Sequence, residues 1–127
     1  MDTRLDDLDP RFKPLAMALL ARCVEARILV LIVNTRRTDA EQADAVARHV
    51  SWVTHSLHQD GLAIDIVPYS IWSLHGETKL NWDATDPVWL TIGKIGEGLG
   101  LRWGGRWKQA DMGHFEYVAP ATTGVAA

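Results

Sequence analysis

Apolar residues recur every three or four positions in three stretches of the chain, and this spacing predicts three helices. The first helix covers about residues 14–26, where Leu15, Leu19 and Cys23 fall on one face. A cysteine on such a face is expected to be an inert part of the core.

The second and third predicted helices begin with clear signals. Thr38 and Glu41 have the spacing of a capping box, in which the threonine hydroxyl bonds the Glu41 amide and the glutamate side chain reaches back. Asp86 followed by Pro87 is a good N-cap, and Gly100 stands where a left-handed helix end is expected. The apolar faces predicted for these two helices are Ala43, Val46, Ala47 and Val50, and Val88, Ile92, Ile95 and Leu99.

Three shorter segments predict strands. Residues 28–34 form a continuous apolar run, which is typical of a strand buried on both faces. Residues 62–67 and 114–118 alternate between two faces, and His114 shares its face with Glu116. Because helices and strands do not alternate regularly, we expect an α+β fold, a single domain with a small, mainly antiparallel sheet flanked by about three helices.

The composition is that of one soluble globular domain, with 47% apolar and 23% charged residues among 127. We assign residues 1–120 to the domain and residues 121–127 to a flexible tail. A net charge of −3 with dispersed basic residues argues against a nucleic-acid partner. The longest apolar run, residues 28–33, is far shorter than the roughly 20 residues of a membrane span. A single cysteine excludes an internal disulfide.

The first cluster with candidate chemistry is formed by His58 and Asp65. Asp65 stands in an otherwise apolar run, although an unpaired carboxylate is costly to bury. Two interpretations are open, a strand-edge aspartate that faces water or a carboxylate with a partner. A loop at residues 59–61, in which Gly61 turns the backbone, would bring His58 back beside Asp65.

The second cluster is formed by Asp111 and His114, which are three positions apart with Gly113 between them. Two histidines and one carboxylate are a known ligand set for catalytic zinc, and they leave a fourth position for water. A second carboxylate near that water serves as a general base. His114 is also compatible with a packed or surface histidine, so the spacing proposes a site without proving one.

Several motifs together resemble a family of zinc peptidases that includes D-Ala-D-Ala carboxypeptidases, phage L-alanyl-D-glutamate endopeptidases and the hedgehog signalling domain. Residues 56–65 match S-x-H-x-x-G-x-A-x-D, and residues 111–115 match D/E-x-x-H-F/W. Residues 37–42 look like the R-S/T-x-x-E-Q segment, and residues 100–108 look like a stretch of the endolysin-type branch. The resemblance covers about residues 8–118 and implies the hedgehog/DD-peptidase fold.

The resemblance implies a metal site and a general base. His58, Asp65 and His114 are the expected ligands of a Zn²⁺ ion. Asp111 is the expected general base, which takes a proton from the attacking water and later passes one to the leaving amine.

The resemblance also implies residues that contact or support the substrate. Arg37 is expected to stabilise the developing oxyanion or to hold a substrate carboxylate, because a guanidinium presents its donors as a fixed fork. A surface arginine at a helix start is the alternative, and Arg36 offers an adjacent register. Further candidates near the substrate are Ser56, Gln42 and Trp103.

The function implied by the resemblance is that of a zinc-dependent peptidoglycan peptidase of the phage endolysin type. Such an enzyme would hydrolyse the L-alanyl-D-glutamate bond of the cell-wall stem peptide. The alternatives are a D-alanyl-D-alanine carboxypeptidase of the same family and a zinc-binding recognition domain without catalysis. Residues 1–7 are acidic and do not resemble a secretory signal, so we expect a monomer made in the host cytoplasm that reaches the wall after release.

Overall fold

The computed structural model describes residues 1–49, 51, 55–71, 75 and 78–120. Three α-helices lie in this part of the chain, α1 (Lys13–Glu25), α2 (Asp39–Ala47) and α3 (Pro87–Gly98). Two short 3₁₀ helices cover Leu5–Asp7 and Gly104–Arg106. The tail predicted at residues 121–127 lies outside the described residues.

The predicted helix starts are confirmed. At the start of α2, the Thr38 hydroxyl accepts a hydrogen bond from the Glu41 amide at 3.1 Å, and the Glu41 carboxylate accepts one from the Thr38 amide at 2.9 Å. The Asp86 carboxylate caps α3 by accepting a hydrogen bond from the Val88 amide at 2.9 Å. Beyond α3, Gly100 has a φ of +84°, the left-handed conformation that favours glycine.

The buried face of α2 differs from the one predicted. Ala43 and Ala47 are exposed, Val46 is half-buried, and Val50 lies outside the described residues. The helix instead buries Gln42 and Ala45. The Gln42 side chain has polar partners at this position, accepting a hydrogen bond from Arg37 and donating one to the Ser51 hydroxyl. Because these bonds satisfy the buried amide of Gln42, the helix can bury the face that carries Gln42 and Ala45 instead of the predicted one.

Five strands form one antiparallel sheet in the described part of the chain. They are β1 (Val30–Asn34), β2 (Ala63–Ile71), β3 (Thr78–Leu80), β4 (Arg102–Trp103) and β5 (His114–Glu116). Their order is β1-β2-β5-β4, and β3 pairs with the far end of β2. β2 therefore has neighbours along its whole length and is the central strand.

The prediction that the first strand is buried on both faces is wrong. Leu29 and Leu31 are exposed, and of the strand's own residues Asn34 alone is buried. β1 pairs with β2 and lies at an edge of the sheet, where fewer side chains surround it. A continuous apolar run does not distinguish this edge position from a central one.

The core lies between the sheet and helices α1 and α3. Phe12, Leu19, Trp89, Ile92 and Phe115 are among its fully or almost fully buried side chains. Cys23 belongs to the same cluster, and burial raises the pKa of its thiol to about 11, as expected for an unreactive cysteine. None of the helices within the described ranges is long and apolar enough to cross a membrane.

Candidate active site

His58 is brought to the sheet by the loop that precedes β2. Gly61 turns this loop with a φ of +70°, and a Cβ atom at that position would lie 2.8 Å from the Asp9 backbone nitrogen. The Gly61 carbonyl accepts a hydrogen bond from the Asp9 amide at 2.9 Å, which fixes the turn against the N-terminal segment. The predicted return of His58 toward Asp65 is confirmed, with Nε2 of His58 lying 3.1 Å from Oδ2 of Asp65.

Asp65 and His114 face each other across two paired strands. They are direct partners in the register of β2 and β5. Nδ1 of His114 lies 3.1 Å from Oδ1 of Asp65, so each carboxylate oxygen meets one imidazole. The two imidazole rings lie 5.1 Å apart in an edge-to-face arrangement. Three residues that are distant in the sequence therefore converge at one point.

The hydrogen bonds on the far side of each imidazole determine which nitrogen faces Asp65. Nδ1 of His58 lies 2.9 Å from the Thr35 carbonyl oxygen and must donate to it, since a carbonyl only accepts. Nε2 of His114 donates in the same way to the Glu116 carboxylate at 2.8 Å. In the neutral form of each ring, the nitrogen that faces Asp65 therefore presents a lone pair.

Lone pairs directed at a carboxylate call for a cation between them. The buried Nε2 of His58 forms no hydrogen bond with any described residue, although Asp65 is near it. One ligand atom from each of His58, Asp65 and His114 lies within 4.8 Å of the other two. Ligands of a tetrahedral zinc ion at 2.0–2.2 Å lie about 3.4 Å from one another. The three side chains thus fit a divalent metal ion in donor type, orientation and spacing.

The same contacts shift the pKa values of the cluster. Burial raises the pKa of Asp65, but the two imidazoles outweigh it and hold that pKa well below its usual range. Burial lowers the pKa of His114, yet Asp65 and Glu116 together raise it to about 9. A metal ion bound between these side chains would therefore compete with a proton on His114.

Asp111 lies at the edge of this cluster. One of its carboxylate oxygens is 4.0 Å from Nδ1 of His114, and its side chain is 56% exposed. Partial burial, followed by the negative charge of Asp65, raises the pKa of Asp111 above its ordinary value. A carboxylate that is close to the ligands, open to water and shifted upward in pKa suits a general base.

Arg37 and Gln42 act as a pair beside the cluster. Nη1 of Arg37 donates a hydrogen bond to the Gln42 amide oxygen, and the Arg37 backbone amide donates to the His58 carbonyl at 3.0 Å. Arg37 lines the cleft, whereas Gln42 is fully buried behind it. Gln42, predicted to lie near the substrate, therefore supports Arg37 from behind.

The cleft has a volume of about 990 Å³. Its lining includes His58, Asp65 and His114, together with Asp111 and the cationic side chains of Arg37 and Lys108. Ser56, another predicted site residue, also lines it and accepts a hydrogen bond from the His58 amide at 3.2 Å. Ser56 thus supports the loop that carries His58.

The structure corrects the prediction that Trp103 contacts substrate. Trp103 is 3% exposed, stacks on Phe115 with ring centroids 6.5 Å apart, and donates a hydrogen bond to the Met112 carbonyl at 2.7 Å. It belongs to the core because the strand that carries it directs its ring under α3, against Gly93. Trp107 lines the cleft instead, with its ring 5.0 Å from that of His114.

The other histidines take no part in the cluster. His49 and His75 are exposed, and His55 is exposed at the rim of the cleft, where it lies 2.9 Å from a carboxylate oxygen of Asp60. Two contributors to the site were not identified from the sequence, the Thr35 carbonyl and the Glu116 carboxylate. The sequence does contain a signal for Glu116, since it lies two residues after His114 and therefore on the same face of the strand. A backbone carbonyl such as that of Thr35 leaves no such signal.

Comparison with known proteins is consistent with this geometry. A family model described as D-alanyl-D-alanine carboxypeptidase matches residues 50–117, more than half of the chain. Among solved structures, the L-Ala D-Glu endopeptidase ChiX of Serratia marcescens has a similar fold, with a TM-score of 0.68 and 22% sequence identity over 90% of this chain and 83% of that one. A search of curated proteins found no match. The matched residues include His58, Asp65, Asp111 and His114, and the chain belongs to the D-alanyl-D-alanine carboxypeptidase family of peptidases.

Proposed function

We propose that this chain is a zinc-dependent peptidoglycan peptidase that hydrolyses the L-alanyl-D-glutamate bond of the stem peptide. The observation that carries the proposal is the convergence of His58, Asp65 and His114 in one cleft with Asp111 beside them. Family membership supports a peptidase, and the donor set supports zinc.

The residues in and around the cluster have different roles in the proposed hydrolysis. A zinc ion held by His58, Asp65 and His114 would lower the pKa of water to near 7 and polarise the scissile carbonyl. The Asp111 carboxylate takes the proton from the attacking water, and its exposure lets the same oxygen deliver a proton to the leaving amine. His58 and His114 keep their donor nitrogens turned away from the reacting atoms.

Arg37 supplies positive charge to the substrate. Its Nη1 is fixed by Gln42 and its backbone by the His58 carbonyl, so the guanidinium is held in place before a substrate arrives. Preorganised donors of this kind stabilise a developing oxyanion or hold a carboxylate without a reorganisation cost. A stem peptide that contains D-glutamate offers such carboxylates, and Lys108 presents a second cation in the same cleft.

The choice of the L-alanyl-D-glutamate bond is supported by the fold that the chain shares with ChiX. Cleavage at D-alanyl-D-alanine is the competing specificity, because the matching family model carries that description. The phage origin and the route from the host cytoplasm to the wall stay predictions of the sequence resemblance.

Mass spectrometry of digested peptidoglycan tests the proposal directly. Zinc-loaded protein is incubated with purified sacculi, and the soluble fragments are compared with those from the Asp111→Asn variant. We expect new amino groups on D-glutamate and glycan fragments that retain L-alanine alone. Release of D-alanine without these products would assign the chain as a carboxypeptidase. Intact peptidoglycan in the presence of bound zinc would favour a recognition domain without catalysis.

A further inference from the structure

Glu116 is a buried carboxylate that is not one of the three clustered ligands. It lies on β5 two residues after His114 and is 7% exposed. Its Oε1 accepts the hydrogen bond from Nε2 of His114 at 2.8 Å, on the side of the imidazole opposite Asp65. Rotation of the His114 ring out of the cluster would break this bond.

The two oxygens of Glu116 have separate partners. While Oε1 meets His114, Oε2 lies 3.3 Å from Nη1 of Arg102. Arg102 is the direct cross-strand neighbour of Glu116 in the pairing of β4 with β5. Burying a carboxylate is costly unless it is paired, and here the arginine compensates the charge while leaving one oxygen for the imidazole.

The other imidazole shows that a charge is not required merely to orient a ring. His58 is oriented by the neutral carbonyl of Thr35 at 2.9 Å. A carboxylate in the equivalent place on His114 does more, since it increases the electron density at the opposite nitrogen and so its strength as a metal ligand. Glu116 thus has the position and the chemistry of an outer partner of a metal-binding histidine.

We propose that Glu116 is a positioning residue that fixes the His114 imidazole as a metal ligand and that Arg102 holds Glu116 in place. This inference rests on the metal site of the proposed function. It concerns zinc affinity, and the identity of the cleaved bond does not enter into it.

Zinc affinity of folded variants tests this role. Glu116→Met removes the acceptor at similar size, whereas Glu116→Gln keeps an oxygen acceptor without the charge. In competition with a chromophoric chelator, we expect zinc binding to weaken by about 10–100-fold in E116M and by less in E116Q. Cobalt(II) absorption of the same proteins reports whether the ligand geometry has changed.

The matched control is Glu97→Gln. Glu97 also pairs with an arginine, Arg106, at 2.9 Å, but it lies on α3 outside the cluster. We expect this variant to bind zinc as tightly as the wild type. Equal weakening in E97Q and E116Q would assign the effect to general destabilisation and overturn the proposal.

A purely structural role for Glu116 makes a different prediction. It would lower the melting temperature of the metal-free protein while leaving zinc affinity and the cobalt spectrum unchanged, and that result would overturn the proposal. If E116M does not fold, E116Q carries the comparison, and unchanged zinc affinity in E116Q would then contradict it. A wild type that binds no zinc would also end it.

The outcome is separable from that of the proposed function. Zinc-loaded wild type that leaves peptidoglycan intact would refute the peptidase activity, while the order of zinc affinities would still stand. Cleavage at the expected bond with no dependence of zinc affinity on Glu116 would refute the positioning role alone.

Discussion

Asp65 and the two histidines of the candidate metal site are held in fixed orientations. The two oxygens of Asp65 each face one imidazole, at 3.1 Å in both cases. The opposite nitrogens of His58 and His114 donate to Thr35 and Glu116, so neither ring can turn without losing a hydrogen bond. The ligands are therefore oriented before a metal ion binds, which reduces the cost of binding it.

Replacing Asp111 by asparagine separates catalysis from metal binding. Asp111→Asn retains the size of the side chain but removes the proton acceptor, so we expect hydrolysis to fall by about 100–10,000-fold. Zinc content should stay at the wild-type level, because the ligand cluster does not include Asp111. Cleavage rates and elemental analysis of the purified variant measure the two properties.

The control for this prediction is Asp44→Asn. Asp44 is an exposed aspartate on α2 that pairs with Arg48 at 3.3 Å. The Asp44→Asn variant should cleave peptidoglycan at the wild-type rate. Wild-type hydrolysis by Asp111→Asn would instead show that another group accepts the proton.

Among the site residues, the sequence predicts the contacts between residues that are close together in the chain. His58 and Asp65 are seven residues apart, and a glycine turn is enough to join them. The approach of His114 to Asp65 depends on strand pairing across 49 positions, and for this the family resemblance was needed. Trp103 and Trp107 flank the same two glycines, so spacing alone could not tell which ring faces the cleft.

Among the secondary-structure elements, β2 has the greatest influence on the site. It pairs with β1 through Asp65 and Asn34 and with β5 through Asp65 and His114. Helix α3 supports this arrangement from one side, and its glycines allow close contact. At Gly96 an added Cβ would lie 2.4 Å from the Phe115 ring, and Phe115 is the direct neighbour of His114.

Two glycines of α3 give a matched pair of substitutions. Gly96→Ala forces a methyl group into the Phe115 ring, and we expect the free energy of unfolding to fall by about 1–3 kcal/mol. Gly98→Ala meets no atom within 4 Å, and we expect no loss, or a gain of up to about 1 kcal/mol from helix propensity. Urea denaturation of the metal-free proteins measures both. Equal stabilities of the two variants would contradict close packing at Gly96.

The two wrong predictions about helices and strands, the buried face of α2 and the burial of β1, have a common physical cause. The starts of α2 and α3 and the glycine that follows α3 depend on residues that act locally, and these were predicted correctly. The buried face of α2 and the edge position of β1 depend on which neighbours each element meets. Apolar spacing carries no information about a buried glutamine whose partners, Arg37 and Ser51, lie on other segments.

For the molecule as a whole, a metal ion bound at the candidate site would couple binding to folding. The cluster joins a loop, the central strand and the last strand of the sheet, so an ion bound there stabilises the folded chain.

The α+β class and the antiparallel sheet were predicted from the order of the elements. The order of strands within the sheet was not, because several pairings satisfy the same sequence of elements.

Removing zinc should therefore lower stability as well as activity. With free zinc at 100 times its dissociation constant, binding contributes about 2.7 kcal/mol to the free energy of unfolding. We expect a chelator to lower the melting temperature and stop cleavage, and added zinc to restore both. His58→Ala should show no zinc-dependent rise in melting temperature. A wild-type melting temperature that is indifferent to chelator would contradict a metal ion at this site.

The direct pairing of Asp65 with His114 has a consequence for how the proposed metal site is completed during folding. During folding, a chain in which residues 63–65 have not yet paired with residues 114–116 lacks His114, the third of the proposed ligands. If zinc binds at this site as proposed, its uptake would report the moment when two segments far apart in the sequence dock. Stopped-flow refolding with a zinc-sensitive dye would time that event against the burial of tryptophan.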